Sequence, residues 1–262
     1  MKLNFFKYQG TGNDFIMVDN RSLLLSKNDT TFIRFLCDRR FGIGADGLIL
    51  LEKPANAGED FKMVYFNADG NESSMCGNGG RCLVAFAKFL GIISDRAAFT
   101  AIDGFHEAVI EDKKVSLKMT NVNGISESEN AFFLNTGSPH HVIFSEDVTG
   151  KDVKKEGAAV RYSPQYMERG GTNVNFVSPI DKDTFKVRTY ERGVEDETLS
   201  CGTGVTAVAL AAYFSGRTSS TSVTLNTPGG ELEVSFEPSG DEFRNIWLKG
   251  PAKQVFKGEI AC

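Results

Sequence analysis

Ser74-Met75-Cys76-Gly77-Asn78-Gly79 and Leu199-Ser200-Cys201-Gly202-Thr203-Gly204 are two versions of one motif, and the distance between them sets the architecture. Cys201 follows Cys76 by 125 positions, and the glycines that close the following apolar segments, Gly91 and Gly216, are separated by the same 125. At that offset Glu72 meets Glu197, Ala87 meets Ala212 and Phe89 meets Phe214. Upstream, Phe61-Lys62-Met63-Val64 and Phe185-Lys186-Val187-Arg188 match with one residue of slippage. Downstream, Thr100 to Gly104 and Thr227 to Gly230 carry similar threonine-glycine turns. The offset is about half of the 262-residue chain, so the pattern predicts two related domains rather than a repeat array. Two chance Gly-rich loops would explain the Cys-Gly-x-Gly match, but not the equal distance to the closing glycine.

Each copy predicts its own local structure. A β-rich run (Phe61 to Phe66; Thr184 to Tyr190) precedes a polar loop and then the cysteine. After Cys76, Leu83, Phe86, Ala87 and Leu90 recur at helical spacing. Val205 to Phe214 is apolar almost all round, the pattern of a helix buried on most sides. Gly91 and Gly216 stand where a C-terminal cap belongs. Short alternating runs elsewhere (Ala108 to Met119, Phe132 to Asn135, Val142 to Phe144, Ser222 to Asn226, Leu232 to Phe236, Asn245 to Lys249) predict strands. The class is α+β: two pseudo-symmetric domains, expected at residues 1–120 with 250–262 and at 121–249.

Composition narrows the function classes. With 41% hydrophobic and 24% charged residues the chain has the make-up of a globular protein. The net charge of −5 argues against a nucleic-acid surface. No apolar run approaches the roughly 18 residues of a membrane span. Met1 to Lys7 lacks the apolar core of a secretory signal, so a cytoplasmic location is expected. The five cysteines show neither CxxC pairs nor disulfide spacing. Cys37 and Cys82 read as buried thiols, and Cys262 as a terminal residue without chemistry.

Cys76 and Cys201 differ from these because each opens a helix beside glycines. Bare backbone N–H groups and the helix dipole favour a thiolate and form an anion site. One such cysteine suggests a nucleophile. Two, related by internal symmetry, suggest proton removal on one face of a carbon and delivery on the other. The developing charge on a neighbouring carboxylate would be stabilised at the helix starts, with no metal or cofactor.

At these residues the chain resembles the diaminopimelate epimerase family. The matching pieces are Lys7-Tyr8-Gln9-Gly10-Thr11-Gly12-Asn13-Asp14-Phe15, Phe66-Asn67-Ala68-Asp69-Gly70, both cysteine motifs, Tyr190-Glu191-Arg192-Gly193 and Thr227-Pro228-Gly229-Gly230, in family order. The resemblance implies a cofactor-independent enzyme interconverting LL- and meso-diaminopimelate, in lysine and peptidoglycan precursor synthesis. It also implies two domains, each a mixed sheet wrapped around a central helix, and a homodimer. Carried over by position, Cys76 and Cys201 match the acid/base pair, and Gly77, Asn78, Gly202 and Thr203 the helix starts that hold the reacting carboxylate. Asn13, Asn67, Asn173, Glu191 and Arg192 match the grip on the amino groups and distal carboxylate. His140 matches an auxiliary histidine near the second cysteine. Two positions depart from the family: Gly47, where some members carry a substrate-contacting glutamine, and Ser138, where asparagine is common.

Competing readings are weaker. Gly42 to Gly47 satisfies GxGxxG and Gly202 to Ala207 its GxGxxA variant. The first is followed by a strand and the second follows an acidic loop, so neither has the strand–turn–helix context of a dinucleotide site. His140 and His141, adjacent on an expected strand, cannot share a face as metal ligands. His106 reads as a surface residue, Glu191 and Arg192 as a possible surface ion pair, and the three asparagines as possible turn residues. Alternatives to the epimerase are a two-cysteine racemase of proline or hydroxyproline, a hydrolase with a cysteine nucleophile and His140 as its base, and a binding protein or redox sensor with a switchable Cys76–Cys201 disulfide. Proline lacks a distal charged group, which leaves Asn67, Asn173 and Arg192 without a task.

Overall fold

A computed structural model describes residues 2–73 and 75–261; Ser74 of the first cysteine motif and Cys262 lie outside the described residues. In chain order the elements are β1 (Lys2–Gly10), β2 (Asn13–Asp19), α1 (Thr30–Cys37), β3 (Gly47–Glu52), β4 (Phe61–Asn67), α2 (Gly77–Phe89), β5 (Arg96–Ala101), β6 (Gly104–Glu111) and β7 (Lys114–Lys118). Then follow β8 (Val122–Asn123), β9 (Ser126–Ser128), β10 (Ala131–Asn135), β11 (Pro139–Phe144), α3 (Val153–Arg161), α4 (Pro164–Met167), β12 (Asn173–Pro179), β13 (Thr184–Glu191) and β14 (Asp196–Thr198). The chain ends with α5 (Gly202–Phe214), β15 (Ser222–Thr227), β16 (Gly230–Ser239), β17 (Glu242–Pro251) and β18 (Lys253–Ala261). It divides into two units, Met1–Leu117 with Gly250–Cys262, and Lys118–Lys249.

Strand pairing repeats between the units. In the first, the order is β18-β1-β2-β3-β4-β5-β6-β7, with β2–β3 and β4–β5 parallel and the other neighbours antiparallel. In the second, β9-β10-β11-β12-β13-β15-β16-β17 has the same succession, parallel at β11–β12 and β13–β15. Each sheet wraps around one helix: α2 touches β1, β2, β3, β4, β6 and β18, and α5 touches β10, β11, β12, β13, β15 and β16. The architecture is therefore α+β with internal pseudo-symmetry.

The two helices are equivalent to the residue. Each has 13 residues, and the C-terminal caps repeat at the same offset. Ile92 N–H bonds Ala87 O and Gly91 N–H bonds Lys88 O; Arg217 bonds Ala212 and Gly216 bonds Tyr213 in the same way. This six-to-one, five-to-two pattern needs a left-handed residue, and Gly91 and Gly216 supply it at φ 71° and 69°. The surroundings differ. In α5, Val205, Val208 and Leu210 are wholly buried, each contributing about 1.5–3 kcal/mol. A strand buried on both faces reads as a continuous apolar run, and β3 is one. Leu48 and Leu50 pack with Ile33 and Leu36 of α1, while Ile49 meets α2 at Gly79.

Several local expectations change. Ala108 to Met119 is not one strand: Asp112 and Lys113, both left-handed at φ 46° and 67°, turn the chain between β6 and β7. A two-residue turn of that hand matches the twist of a hairpin. Helices α1 and α3 were not among the expected elements; each is started by an aspartate, with Asp29 accepting from Phe32 N–H and Asp152 from Lys155 N–H. Asp196 and Glu197, read with Glu195 as an acidic loop, lie in β14, which pairs with β13. His106 is not a surface residue: its ring stacks on Phe99 and its Nε2 pairs with Asp103.

Candidate active site

Both cysteines are N-cap residues. Cys76 and Cys201 adopt extended backbone (φ −101°, ψ 124° and φ −126°, ψ 114°), and neither side chain caps its helix. Their carbonyls accept the first helical bonds, from Gly80 N–H and Val205 N–H. The N–H groups of the first three helical residues have no intrahelical acceptor by geometry, so each start is a cradle for an anion. Gly79 and Gly204 let the cradles sit close against the sheet. A Cβ at Gly79 would stand 2.8 Å from Ile49 Cδ1, and one at Gly204 2.5 Å from Asn175 Oδ1.

Around Cys76 the orientation of Asn13 matters most. Its Nδ2 donates to Asp46 Oδ2 at 2.6 Å, and Asp46 is held in turn by Arg39. This leaves Asn13 Oδ1 as an acceptor facing Cys76 Sγ at 3.5 Å and Asn78 Nδ2 at 3.4 Å. The carboxylate partner of Asp46 in this network is Asp14, which Lys7 and Arg39 hold ionised. Burial opposes ionisation, but the hydrogen bonds and charges of Arg39 and Lys7 carry its carboxyl far below the usual range. Thr11, a β-branched residue at φ 50°, sits in the β1–β2 turn and touches Asn78 Oδ1 at 3.4 Å. Strained residues of this kind persist where the surroundings over-determine them.

Around Cys201 the neighbour is a histidine relay. Cys201 Sγ lies 3.4 Å from Thr203 Oγ1, and Thr203 Oγ1 lies 2.9 Å from His140 Nε2. Asn175 Nδ2 reaches His140 Nδ1 at 3.0 Å, while Thr189 donates to Asn175 Oδ1. That arrangement makes Nδ1 the acceptor and places the ring proton on Nε2, directed at Thr203. His140 is wholly buried, and burial, helped by the charge of Arg192, pushes its pKa down to about 3. It is a neutral hydrogen-bond donor, and Thr203 bridges it to the sulfur. A hydrolase would need a direct cysteine–histidine contact.

The remaining candidates fall at matching places in the two sheets. Asn67 ends β4 and is exposed at the start of a turn, with Gly70 N–H bonding its carbonyl. Glu191 ends β13 and accepts from Thr198 Oγ1 at 2.8 Å. Asn173 opens β12, donates to Ser138 Oγ and Pro139 O, and accepts from Arg192 N–H. Ser138 therefore works as an acceptor that steadies Asn173. The Arg192 side chain reaches Gly170 O at 3.5 Å. Gly47 opens β3 opposite Asn67, and a Cβ there would lie 2.5 Å from Phe66 O and 2.6 Å from the Tyr65 ring. The Tyr65 ring thus fills the space over the position where relatives of this sequence type are expected to carry glutamine.

Sequence reasoning missed Asp46, Asn175 and Arg81. The first two act on other side chains, and no local pattern announces such contacts. Arg81 had a signal, a charge among the buried residues of α2, where Cys82, Leu83 and Phe86 are also fully enclosed.

Comparison with known proteins agrees with the repeat. The family model described as diaminopimelate epimerase matches residues 5–125 and 132–255. The diaminopimelate epimerase of Flavobacterium psychrophilum is 57% identical over 259 residues, covering 98% of this chain and all of the relative. That of Aquifex aeolicus is 40% identical over 281 residues, covering 99% and 98%. Among solved structures, a phenazine biosynthesis protein of the PhzF family from Bacillus anthracis superposes over the full length of both chains with TM-score 0.78 at 12% identity. A probable proline racemase from Agrobacterium radiobacter K84 gives TM-score 0.68 at 16% identity, covering 99% of this chain and 93% of the other. At those identities the likeness is one of fold. With the family model matching residues 5–125 and 132–255 and a relative 57% identical over 98% of its length, the chain belongs to the diaminopimelate epimerase family.

Proposed function

We propose that this protein is an isomerase that interconverts LL- and meso-diaminopimelate at the α-carbon, with Cys76 and Cys201 as a thiolate and thiol pair. One thiolate sulfur takes the α-proton and becomes a thiol, and the electron pair moves into the adjacent carboxylate as an enediolate. The opposite thiol then delivers its proton to the other face of the carbon and becomes the thiolate. The net change is inversion, with the proton inventory of the pair restored in the reverse order. Backbone N–H groups at the starts of α2 and α5 stabilise the developing negative charge, so the chemistry calls for no cofactor.

The observation that carries this reading is the equivalence of the two N-cap cysteines within a family whose named members are diaminopimelate epimerases. We assign Gly77, Asn78, Gly202 and Thr203 to the reacting carboxylate, and Asn13, Asn67, Asn173, Glu191 and Arg192 to the amino groups and distal carboxylate. His140 acts as an auxiliary residue through Thr203. The two units are the two catalytic domains, and the working form is a cytoplasmic homodimer in lysine and peptidoglycan precursor synthesis. No helix among the described residues is long and apolar enough to cross a membrane.

Proton NMR of the reduced protein with LL-diaminopimelate in heavy water tests the proposal. Solvent deuterium at one α-carbon, with meso product forming, is the expected result. Absence of exchange under reducing conditions would remove this substrate and move the assay to proline and hydroxyproline.

A further inference from the structure

Arg81 is among the largest fully buried side chains of the described residues, with 0% of its surface exposed. Its guanidinium lies against the first turn of α2: Nη1 donates to Gly77 O at 3.3 Å, and Nη2 to Asn78 Oδ1 at 2.8 Å and Thr11 Oγ1 at 3.2 Å. Its Nε has no hydrogen-bond partner, and no carboxylate forms an ion pair with it among the described residues. A buried cation without a counter-charge is costly, so an anion supplied from elsewhere would gain most by lying near it. The equivalent residue of α5 is Thr206, 125 positions on, which serves the same first-residue carbonyl with a neutral hydroxyl, Oγ1 to Gly202 O at 2.9 Å. The two cradles share a geometry and differ in charge.

Resting on the epimerase reading, we propose that Arg81 is a positioning residue that makes the start of α2 the electropositive cradle and draws the substrate's reacting carboxylate to it. It acts in two ways. Its charge lies beside the first turn, and its bond to Asn78 Oδ1 turns the Asn78 amide N–H toward Asn13 and the cysteine.

The groups around the guanidinium leave that charge uncancelled. On its own helix, Cys82 is a thiol, pushed up to about 12 by burial. On β1, Tyr8 is likewise pushed up to about 12 by burial and by Cys82, and Lys7 is closed off by Asp14. Asp14, on β2, is taken up by Lys7 and Arg39. Ile49 of β3, Met63 of β4 and Leu117 of β7 meet the glycines of the first turn, and the buried β6 residues are Ala108 and Ile110. From β18, Gln254 meets Tyr8. Cys76 is the partly exposed titratable group within the electrostatic reach of Arg81. Its sulfur faces Asn13 Oδ1, an acceptor, at 3.5 Å.

The test compares alkylation by anionic iodoacetate and neutral iodoacetamide, with the modified cysteine located by peptide mass spectrometry. The rate ratio of the two reagents reports the local potential and cancels the thiolate fraction. The wild-type ratio is expected to be higher at Cys76 than at Cys201. Arg81→Met should lower it roughly fivefold at Cys76 alone, and Arg81→Lys by less. In the epimerase assay Arg81→Met should raise KM more than it lowers kcat. A folded Arg81→Met protein with an unchanged Cys76 ratio, or with an equal fall at Cys201, would overturn the proposal. If that variant does not fold, a wild-type ratio no higher at Cys76 than at Cys201 overturns it. The alkylation readout does not need turnover, so loss of the substrate assignment and loss of this inference are distinguishable.

Discussion

Phe15 and His140 occupy the same place in the two sheets. Phe15 pairs with Tyr8 on one side and with Gly47, the first residue of β3, on the other. His140 pairs with Leu134 and with Asn173, the first residue of β12, in the same senses. The register also aligns Asn13 with Ser138, Asn67 with Glu191 and Asn78 with Thr203. One scaffold therefore presents a ring without hydrogen-bonding capacity against Gly79 in the first turn of α2 and a donor relay beside Cys201. The asymmetry that distinguishes the two thiols is written in these pairs, since the backbone is repeated.

If both thiols are needed, Cys76→Ala and Cys201→Ala should each abolish inversion, with losses on the order of a thousandfold or more, as general acid–base groups contribute 10²–10⁴ apiece. The assay is meso product formation by NMR. A hydrolase would be silenced by one replacement only, and a binding protein would keep its ligand in both.

Asp46 touches neither cysteine, yet it decides which end of Asn13 faces Cys76. Asp46→Ala frees the amide to rotate and should lower kcat by about tenfold to a hundredfold, the scale of an ångström's misplacement. Circular dichroism should show an unchanged fold. Full activity in this variant would mean that Asn13 is oriented by something else.

His140 links stability to pH. Its folded pKa, pushed to about 3 by burial and then by Arg192, lies below the ordinary 6.5. Between these values the unfolded chain binds the extra proton. The stabilisation is therefore complete above pH 6.5 and is lost as pH falls toward 3, at up to about 1.4 kcal/mol per unit. Urea melts from pH 7 to 4 should show a steeper decline for the wild type than for His140→Gln. Parallel curves would count against a buried neutral imidazole.

Gly47 is required by its neighbours. A methyl group at this position meets a backbone carbonyl at 2.5 Å and the Tyr65 ring at 2.6 Å, and the carbonyl cannot yield without moving β4. Gly47→Ala should cost about 1–3 kcal/mol, the usual penalty of overpacking. Thermal melts would register it as a lower Tm, and an unchanged Tm would show that β4 gives way freely.

The architecture was legible because the repeat is dense in positions with strong local rules. Gly91 and Gly216 mark caps that need a left-handed residue, and Cys76 and Cys201 mark helix starts through the glycines beside them. The almost wholly apolar Val205 to Phe214 announced a central helix by its lack of a polar face. Helix α1 went unread, although Ile33, Leu36 and Cys37 recur at i, i+3 and i+4 and form its buried face. The β6–β7 turn was missed because Asp-Lys is an uncommon pair at two left-handed positions.

What the amino-acid sequence determined alone is the doubled scaffold and the place of one cysteine at each central helix start, since spacing and helix-end chemistry are properties of neighbours along the chain. What only the tertiary structure decided is the chemical character around each sulfur. Asp46 orients Asn13 from 33 positions away, and His140 meets Thr203 across 63. Arg81 is buried with no carboxylate paired to it among the described residues, because its surroundings come from strands distant in the chain. Burial and hydrogen-bond direction depend on which segments meet, and such meetings leave no period in the sequence to read.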